Sequence, residues 1–371
     1  MTLNNRLRPD MMPLKATDPP SPSLRRGLAK RRLPLNMMNW TMNELMDLST
    51  GYWRAGALIA AVDLDLFAAL GDGGATSAEL AQRLDVSERH LNALLTALAG
   101  LKILRLNEDR FLLDPGVAPF LAPDGSMCLL DSLRFNKDLY TLWGRLADTV
   151  RSGRPAIPPG AHLGMDRERT VRFVRGMHSR ALGLAPVLLP ALQAPSQGHL
   201  LDVASGPGTF SRMLAEQSPE LMVTQMDLPG VIEVARELTV SSPVADRIRF
   251  LPGDYHETEM GGPFDAALFC GALHQESLAG AQQVVDRIMR AIRPGGRLMV
   301  ADLMLDGDQP EPAFAALFAL TMMLTSPAGG VHSADNVQDM LLAAGFKDIE
   351  VTAAGDLPYR VVSGRKPDHD D

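Results

Sequence analysis

From His199 onward the chain alternates short apolar runs with helical stretches, and this alternation constrains the fold more than any other feature. The runs are HLLDVA, LMVTQMD, RIRFLPGD, FDAALFC and GRLMVAD, with a last pair in KDIEVTA and YRVVSGR. Between them stand segments such as SLAGAQQVVDRIMRAI, in which Leu278, Ala281, Val285, Ile288 and Ile292 fall on one helical face. Strands alternating with helices imply a parallel sheet covered on both faces. The expected fold class is therefore α/β, with a doubly wound, Rossmann-like sheet at the C-terminal side. Ligands of such sheets sit beyond the strand C-termini. Each run ends there in something polar: Asp202, Asp227, Asp254, the neighbourhood of His274, and Asp302.

The first run leads into LDVASGPGTF, residues 201–210, where Gly206 and Gly208 let the backbone approach a ligand closely. Three ligands compete for this turn. A phosphate loop needs Lys-Ser/Thr after its last glycine, and Gly208 is followed by Thr209-Phe210. A dinucleotide fingerprint needs a third glycine, and Ser211 stands in its place, which leaves that match weak. S-adenosylmethionine carries a ribose, an adenine and a sulfonium cation but no phosphate, so it calls for carboxylates. Acids at three successive strand ends supply them, and Asp227 falls where an acid can accept from ribose hydroxyls.

The preceding part reads as a separate, mainly helical domain over 37–195. RAGALIAAVDLDLFAAL places Leu58, Ile59, Val62, Leu66 and Leu70 at helical spacing, and GDGG ends the element. A Thr/Ser-capped helix, a turn at Leu84–Ser87, a second helix to Gly100 and a hairpin with NEDR at its tip follow, in winged-helix order. The second helix is too apolar for a DNA groove, with Leu91, Leu94, Leu95 and Leu98, and suits packing on another subunit. Helical stretches are expected over Asp131–Ser152 and Arg169–Leu192, separated by GRPAIPPG. Pro186, Pro190 and Pro195 are expected to break the end of the second stretch.

The net charge of −8 conceals an asymmetry: residues 1–36 hold eight Lys/Arg against two Asp/Glu, leaving about −14 on the rest. This Pro-rich basic segment has no helical or strand periodicity and reads as a disordered, dispensable tail, with Met37 an alternative initiation point. No apolar core of a signal peptide follows RRGLAKRRLP. The acidic remainder gives no electrostatic reason to expect nucleic acid, and no run of 18 apolar residues suggests a membrane span. Cys128 and Cys270 lie far apart and outside any CxxC pair, which suits a reducing cytoplasm. His162, His199 and His256 show no ligand spacing, so no metal is expected.

At these motifs the chain, from about Trp53 to Lys366, resembles the class I S-adenosylmethionine-dependent O-methyltransferases of the homodimeric plant phenolic and bacterial natural-product type. LDVASGPG keeps Asp202, Gly206 and Gly208 of the family's glycine motif, with Ala204 and Ser205 replacing glycines. The resemblance implies that Asp227 of MDLPGVIEVAR binds ribose with Leu228 against the adenine, and that Asp254 and Tyr255 of GDYHE bracket the adenine. RAIRPGGRLMVADLML and LLAAGF match the family's later signatures. His274 in LFCGALHQES matches the catalytic histidine, and Asp302 a flanking acid that orients it. A phenol of pKa about 10 is a poor nucleophile at neutral pH until a base removes its proton, and imidazole is a sensible base.

Departures from the family are equally specific. The second flanking acid is Val331 here, with His332 beside it, so His332 or a carboxylate from elsewhere must compensate unless proximity suffices. Cys270 stands in the donor site where plant enzymes carry a lysine. Met177 and His178 match a helix near donor and acceptor. Phe314, Phe318, Met322 and Met323 lie on AFAALFALTMMLTSP, a core stripe or a pocket wall, with Phe318 and Met322 the residues assigned to the acceptor pocket. The resulting expectation is a homodimer that methylates a hydroxyl of a small, aromatic or polyketide-like metabolite, with S-adenosylhomocysteine as by-product. The alternatives are C- or N-methylation of a pigment or heterocycle, and a winged-helix regulatory or scaffold protein.

Overall fold

A computed structural model describes residues 40–157, 166–307 and 309–368. The expected basic tail over 1–36, the last three residues of GRPAIPPG and His162 lie outside the described residues. By packing, the chain divides into residues 1–51 and 52–371. In the first unit, Thr41 caps the helix that starts at Met42: Glu44 N donates to Thr41 Oγ1 at 3.2 Å, and Thr41 N to Glu44 Oε2 at 2.8 Å.

Helix α1 spans Met42–Asp63, and α2 is Leu66–Leu70. Next come α3 (Ser77–Leu84) and α4 (Glu88–Gly100), then an antiparallel hairpin of β1 (Leu104–Asn107) and β2 (Arg110–Leu113). Thr76 and Glu79 form a reciprocal capping box at α3, satisfying backbone N–H groups that the first turn leaves unpaired. Leu66, Leu80, Leu91, Leu95 and Leu98 close the core of this region.

The middle is α5 (Ala118–Leu121), α6 (Leu130–Trp143), α7 (Leu146–Ser152) and α8 (Arg167–Leu192). Two findings differ from expectation here. The stretch after Asp131 breaks at Gly144-Arg145 into two helices. Conversely, α8 runs unbroken through Pro186 and Pro190 to Leu192. Both prolines are exposed, while Ala185, Leu188, Leu189 and Leu192 pack on the sheet. Burying a leucine contributes about 1.5–3 kcal/mol, so this face offsets the roughly 3 kcal/mol that an internal proline costs.

The C-terminal part runs β3 (Gln197–Val203), α9 (Thr209–Gln217), β4 (Glu220–Asp227), α10 (Pro229–Thr239), β5 (Ile248–Pro252), β6 (Phe264–Cys270), α11 (Leu278–Ala291) and β7 (Ile292–Leu303). Then come α12 (Ala313–Thr325), α13 (Ala334–Ala343), β8 (Lys347–Ala353) and β9 (Tyr359–Arg365). The sheet order is β5-β4-β3-β6-β7-β9-β8, with β9 antiparallel between β7 and β8 and the other pairs of the first five strands parallel. Two apolar layers sandwich it, one including Val284, Val285 and Ile288 of α11, the other Leu188 and Leu192 of α8. Leu278 departs from its expected face: at the first position of α11 it is 53% exposed, ahead of the point where the helix meets the sheet.

Candidate active site

The strand order reverses between β3 and β6, so a crevice opens at the C-terminal edge where chain crossovers leave in opposite directions. The glycine turn lies there. Gly208 caps α9 at φ +64°, and a Cβ on it would run into the Gln225 side chain. That side chain holds the turn instead, Gln225 Nε2 donating to Gly208 O at 3.0 Å and to Ser211 Oγ at 3.1 Å. Ala204 adopts φ +54°, the left-handed region where an L side chain costs about 1–2 kcal/mol. An alanine at this position therefore carries backbone strain that a glycine would not.

Asp227, the last residue of β4, receives Gly206 N–H on Oδ2 and Leu228 N–H on Oδ1, each at 2.7 Å. Burial pushes its pKa up to about 6, opposed by those two hydrogen bonds and assisted by the charge of Asp254. Asp202 is buried beneath the turn; burial pushes it up to about 7, with Ser211 lowering and the charge of Asp227 raising it. Asp254 follows β5 and accepts His256 N–H at 2.8 Å, and Gly253 N donates to Asp227 O at 2.8 Å, which ties the two acidic strand ends together.

The chemistry of S-adenosylmethionine fits this crevice. Ser205 Oγ is buried without a hydrogen-bond partner, open space lies where a Cβ on Gly206 would point, and two carboxylates converge on the same edge. Asp227 could hold the ribose, with Leu228, Asp254 and Tyr255 around the base. Cys270, at the end of β6, carries no charge to offer: burial and the charges of Asp202 and Asp302 push its thiol well up.

His274 lies in a short 3₁₀ turn, Leu273–Gln275, just past β6. Its Nδ1 faces Asp302 Oδ1 at 2.8 Å, and its backbone N donates to Asp302 Oδ2 at 3.2 Å. Asp302, on β7, is 1% exposed and also receives Leu303 N–H at 2.7 Å. With Nδ1–H donating to a carboxylate, the lone pair is on Nε2, which makes no hydrogen bond to a described residue. The imidazole and the Phe318 ring pack edge to face, centroids 4.9 Å apart at 86°.

The remaining expectations divide. Met322 is buried, whereas Phe314 and Met323 are exposed, so the α12 stripe does not act as one wall. His178 pairs through Nδ1 with Thr209 Oγ1 at 2.7 Å; burial and the Arg212 charge lower its pKa to about 4. Met177 is partly buried on the same helix. His332 does not replace the missing second acid: its Nε2 meets Glu276 O at 3.0 Å, and Gly330 N donates to His274 O at 2.9 Å. Both residues brace the loop that bears His274.

Sequence reasoning missed Glu276. Its Oε1 accepts Tyr255 O–H at 2.6 Å and stands 2.9 Å from His256 Nε2, joining the loop after β5 to the loop bearing His274. Burial and Glu276 raise the Tyr255 phenol. The signal was present in HQES, four polar residues just past a strand end, where Glu276 stands two places after His274. Among the described residues, no group of three metal-ligating side chains occurs, and no helix is long and apolar enough to cross a membrane.

Comparisons with known proteins agree with this geometry. A profile described as an O-methyltransferase domain matches residues 143–347, and one described as an O-methyltransferase dimerisation domain matches 46–116. The chain is similar to the tetracenomycin polyketide synthesis 8-O-methyl transferase TcmO of Streptomyces glaucescens, 29% identical over 87% of this chain and 96% of the relative. It is also similar to the 3-hydroxy-5-methyl-1-naphthoate 3-O-methyltransferase of Streptomyces sahachiroi, 28% identical over 87% and 94%. In fold it matches human N-acetylserotonin methyltransferase, solved in complex with SAM, with a TM-score of 0.81 and 21% identity over 89% of this chain and 99% of that one. The glycine turn, the acidic strand ends and a profile match over more than half its length together place the chain in the S-adenosylmethionine-dependent O-methyltransferase family.

Proposed function

We propose that this enzyme methylates a hydroxyl of a small aromatic or polyketide-like metabolite, with His274 as general base. The observation that carries the reading is the His274–Asp302 pair, 2.8 Å apart, with Nε2 hydrogen-bonded to no described residue. S-adenosylmethionine, when bound, supplies an electrophilic methyl group on a sulfonium. Asp227 and Asp254 hold the donor, with Asp202 supporting the glycine turn from below. His274 Nε2 takes the proton from the acceptor hydroxyl, and Asp302 stabilises the imidazolium that results. The base then releases that proton to solvent. Phe318, Met322 and Met177 supply apolar surface for the acceptor, in keeping with the polyketide and naphthoate named in the two relatives.

In this reading residues 37–195 form the dimerisation region and 196–371 the donor-binding domain, and the enzyme works as a homodimer. Cytoplasmic residence is consistent with its two free thiols, Cys128 and Cys270. The test is transfer of label from S-adenosylmethionine to an extract of the producing cell, with mass spectrometry of the product. His274→Ala should abolish most turnover while S-adenosylhomocysteine still binds; unchanged turnover removes His274 as the base.

A further inference from the structure

Asp202 and Gln225 stand side by side under the glycine turn. They are register partners on the parallel strands β3 and β4, so their side chains leave the same face of the sheet. Asp202 is 3% exposed and Gln225 is fully buried. The hydrogen bonds here can be counted atom by atom. Gln225 Nε2 has two protons and spends them on Gly208 O at 3.0 Å and Ser211 Oγ at 3.1 Å. Gly208 O, which can only accept, also receives Arg212 N–H at 3.0 Å. Turning the amide over would set Gln225 Oε1 against that carbonyl, so the orientation is fixed. In this orientation Gln225 Oε1 is buried and has no hydrogen-bond donor. A buried acceptor left in that state is costly and rare in native proteins.

Gly208 O already holds two donors, which leaves the Ser211 hydroxyl, 3.3 Å from it, available to Asp202. The charged groups nearby do not favour an ionised Asp202. Asp227 of β4 repels it, and Asp202 in turn raises the Cys270 thiol of β6. On the helices above, Arg212 spends Nη1 on Leu238 O at 2.7 Å, and His178 is held at Thr209 Oγ1. An ionised Asp202 would set a buried negative charge beside the orphaned oxygen of Gln225 and within reach of Asp227. A protonated Asp202 satisfies every group. One of its oxygens accepts from Ser211, and the other, as O–H, donates to Gln225 Oε1.

From this count we infer that Asp202 acts as a neutral carboxylic acid donating its proton to Gln225 Oε1, and so positions the glycine turn rather than offering the donor a charge. The inference rests on the donor-binding role proposed for that turn above. Burial, which pushes the acid up to about 7, acts in the same direction. The arrangement divides the work between two acids: with the proton on Asp202, Asp227 is free to ionise and accept from ribose. As pH rises through about 7 the proton leaves, Gln225 Oε1 faces a carboxylate, and donor affinity should fall.

The experiment joins infrared spectroscopy to titration calorimetry on the wild type, Asp202→Asn and Asp202→Ala. The wild-type minus Asp202→Asn spectrum should show the carbonyl band of a protonated carboxyl below pH about 7, fading above it. Below that pH, Asp202→Ala should weaken S-adenosylhomocysteine about 10- to 100-fold. Asp202→Asn, whose NH₂ replaces the O–H, should recover most of that loss. It should also lose the alkaline fall in affinity while keeping the acidic limb set by Asp227. Melting curves separate lost folding from lost binding. Absence of the protonated-acid band, or an asparagine variant as weak as the alanine one, overturns the inference. If 5′-methylthioadenosine, which lacks the amino-acid end, then keeps its wild-type affinity in both variants, Asp202 is instead a carboxylate that reads the donor's ammonium. Failure of the wild type to bind S-adenosylhomocysteine would strike the donor reading itself, while the infrared band of the free protein still decides the state of Asp202.

Discussion

Asp302→Asn removes one charge and almost no volume, which makes it a sharp probe of the base. Both carboxylate oxygens of Asp302 face N–H donors: Oδ1 meets His274 Nδ1 at 2.8 Å and Leu303 N at 2.7 Å, and Oδ2 meets His274 N at 3.2 Å. An amide must therefore turn its NH₂ toward a donor in either orientation. At a residue 1% exposed, that leaves a buried mismatch costing about 1–3 kcal/mol of stability. The catalytic loss should be larger. A carboxylate about 4 Å from the imidazolium charge, at an effective dielectric of about 20, stabilises it by about 4 kcal/mol. That is roughly three decades of rate. The assay is single-turnover transfer of labelled methyl, beside calorimetric S-adenosylhomocysteine affinity and a melting curve. kcat should fall about 10³-fold with donor affinity unchanged. A variant that keeps kcat within about tenfold would refute the electrostatic role, and a parallel fall in donor affinity would make Asp302 structural instead.

Further consequences follow from the same geometry. Glu276→Gln and Gly280→Ala should both raise KM for the donor more than they lower kcat. Glu276 Oε2 lies where a Cβ on Gly280 would stand, so the second change displaces the carboxylate that holds Tyr255 and His256. Unaltered donor KM in both variants would exclude the clamp. Asp227, at about 6 in the folded protein against an ordinary 3.8, keeps a proton that the unfolded chain has already released. Its contribution to stability is thus greatest below pH 4 and is lost as pH rises through about 6. Ribose hydroxyls donating to it favour the charged form, so S-adenosylhomocysteine should bind tighter as pH climbs from 5 to 7, with proton release near pH 6. Calorimetry in two buffers of different ionisation heat measures this, and flat affinity over that range contradicts it. Ala204→Gly relieves a φ of +54° and should stabilise the fold by about 0.5–1 kcal/mol, read as a higher Tm; a lower Tm would show that the turn carries no such strain.

Much of the fold is local, and so was legible. Alternation of apolar runs and helices set the sheet, and the strand bounds of FDAALFC, KDIEVTA and YRVVSGR coincide with β6, β8 and β9. Ser277 and Thr76 cap the helices their positions announce. The proline reading of α8 failed because proline's penalty is local while the apolar face that outweighs it is satisfied only by the sheet.

The candidate site divides along the same line. The sequence by itself determined that acids and a histidine stand at successive strand ends, because period and glycine spacing fix where a strand stops. Only the tertiary structure decided their partners. Asp302 reaches His274 across 28 positions, Glu276 joins Tyr255 and His256 across 21 and 20, and His332 turns to the Glu276 carbonyl across 56. Long-range packing of this kind leaves no periodic trace in the chain.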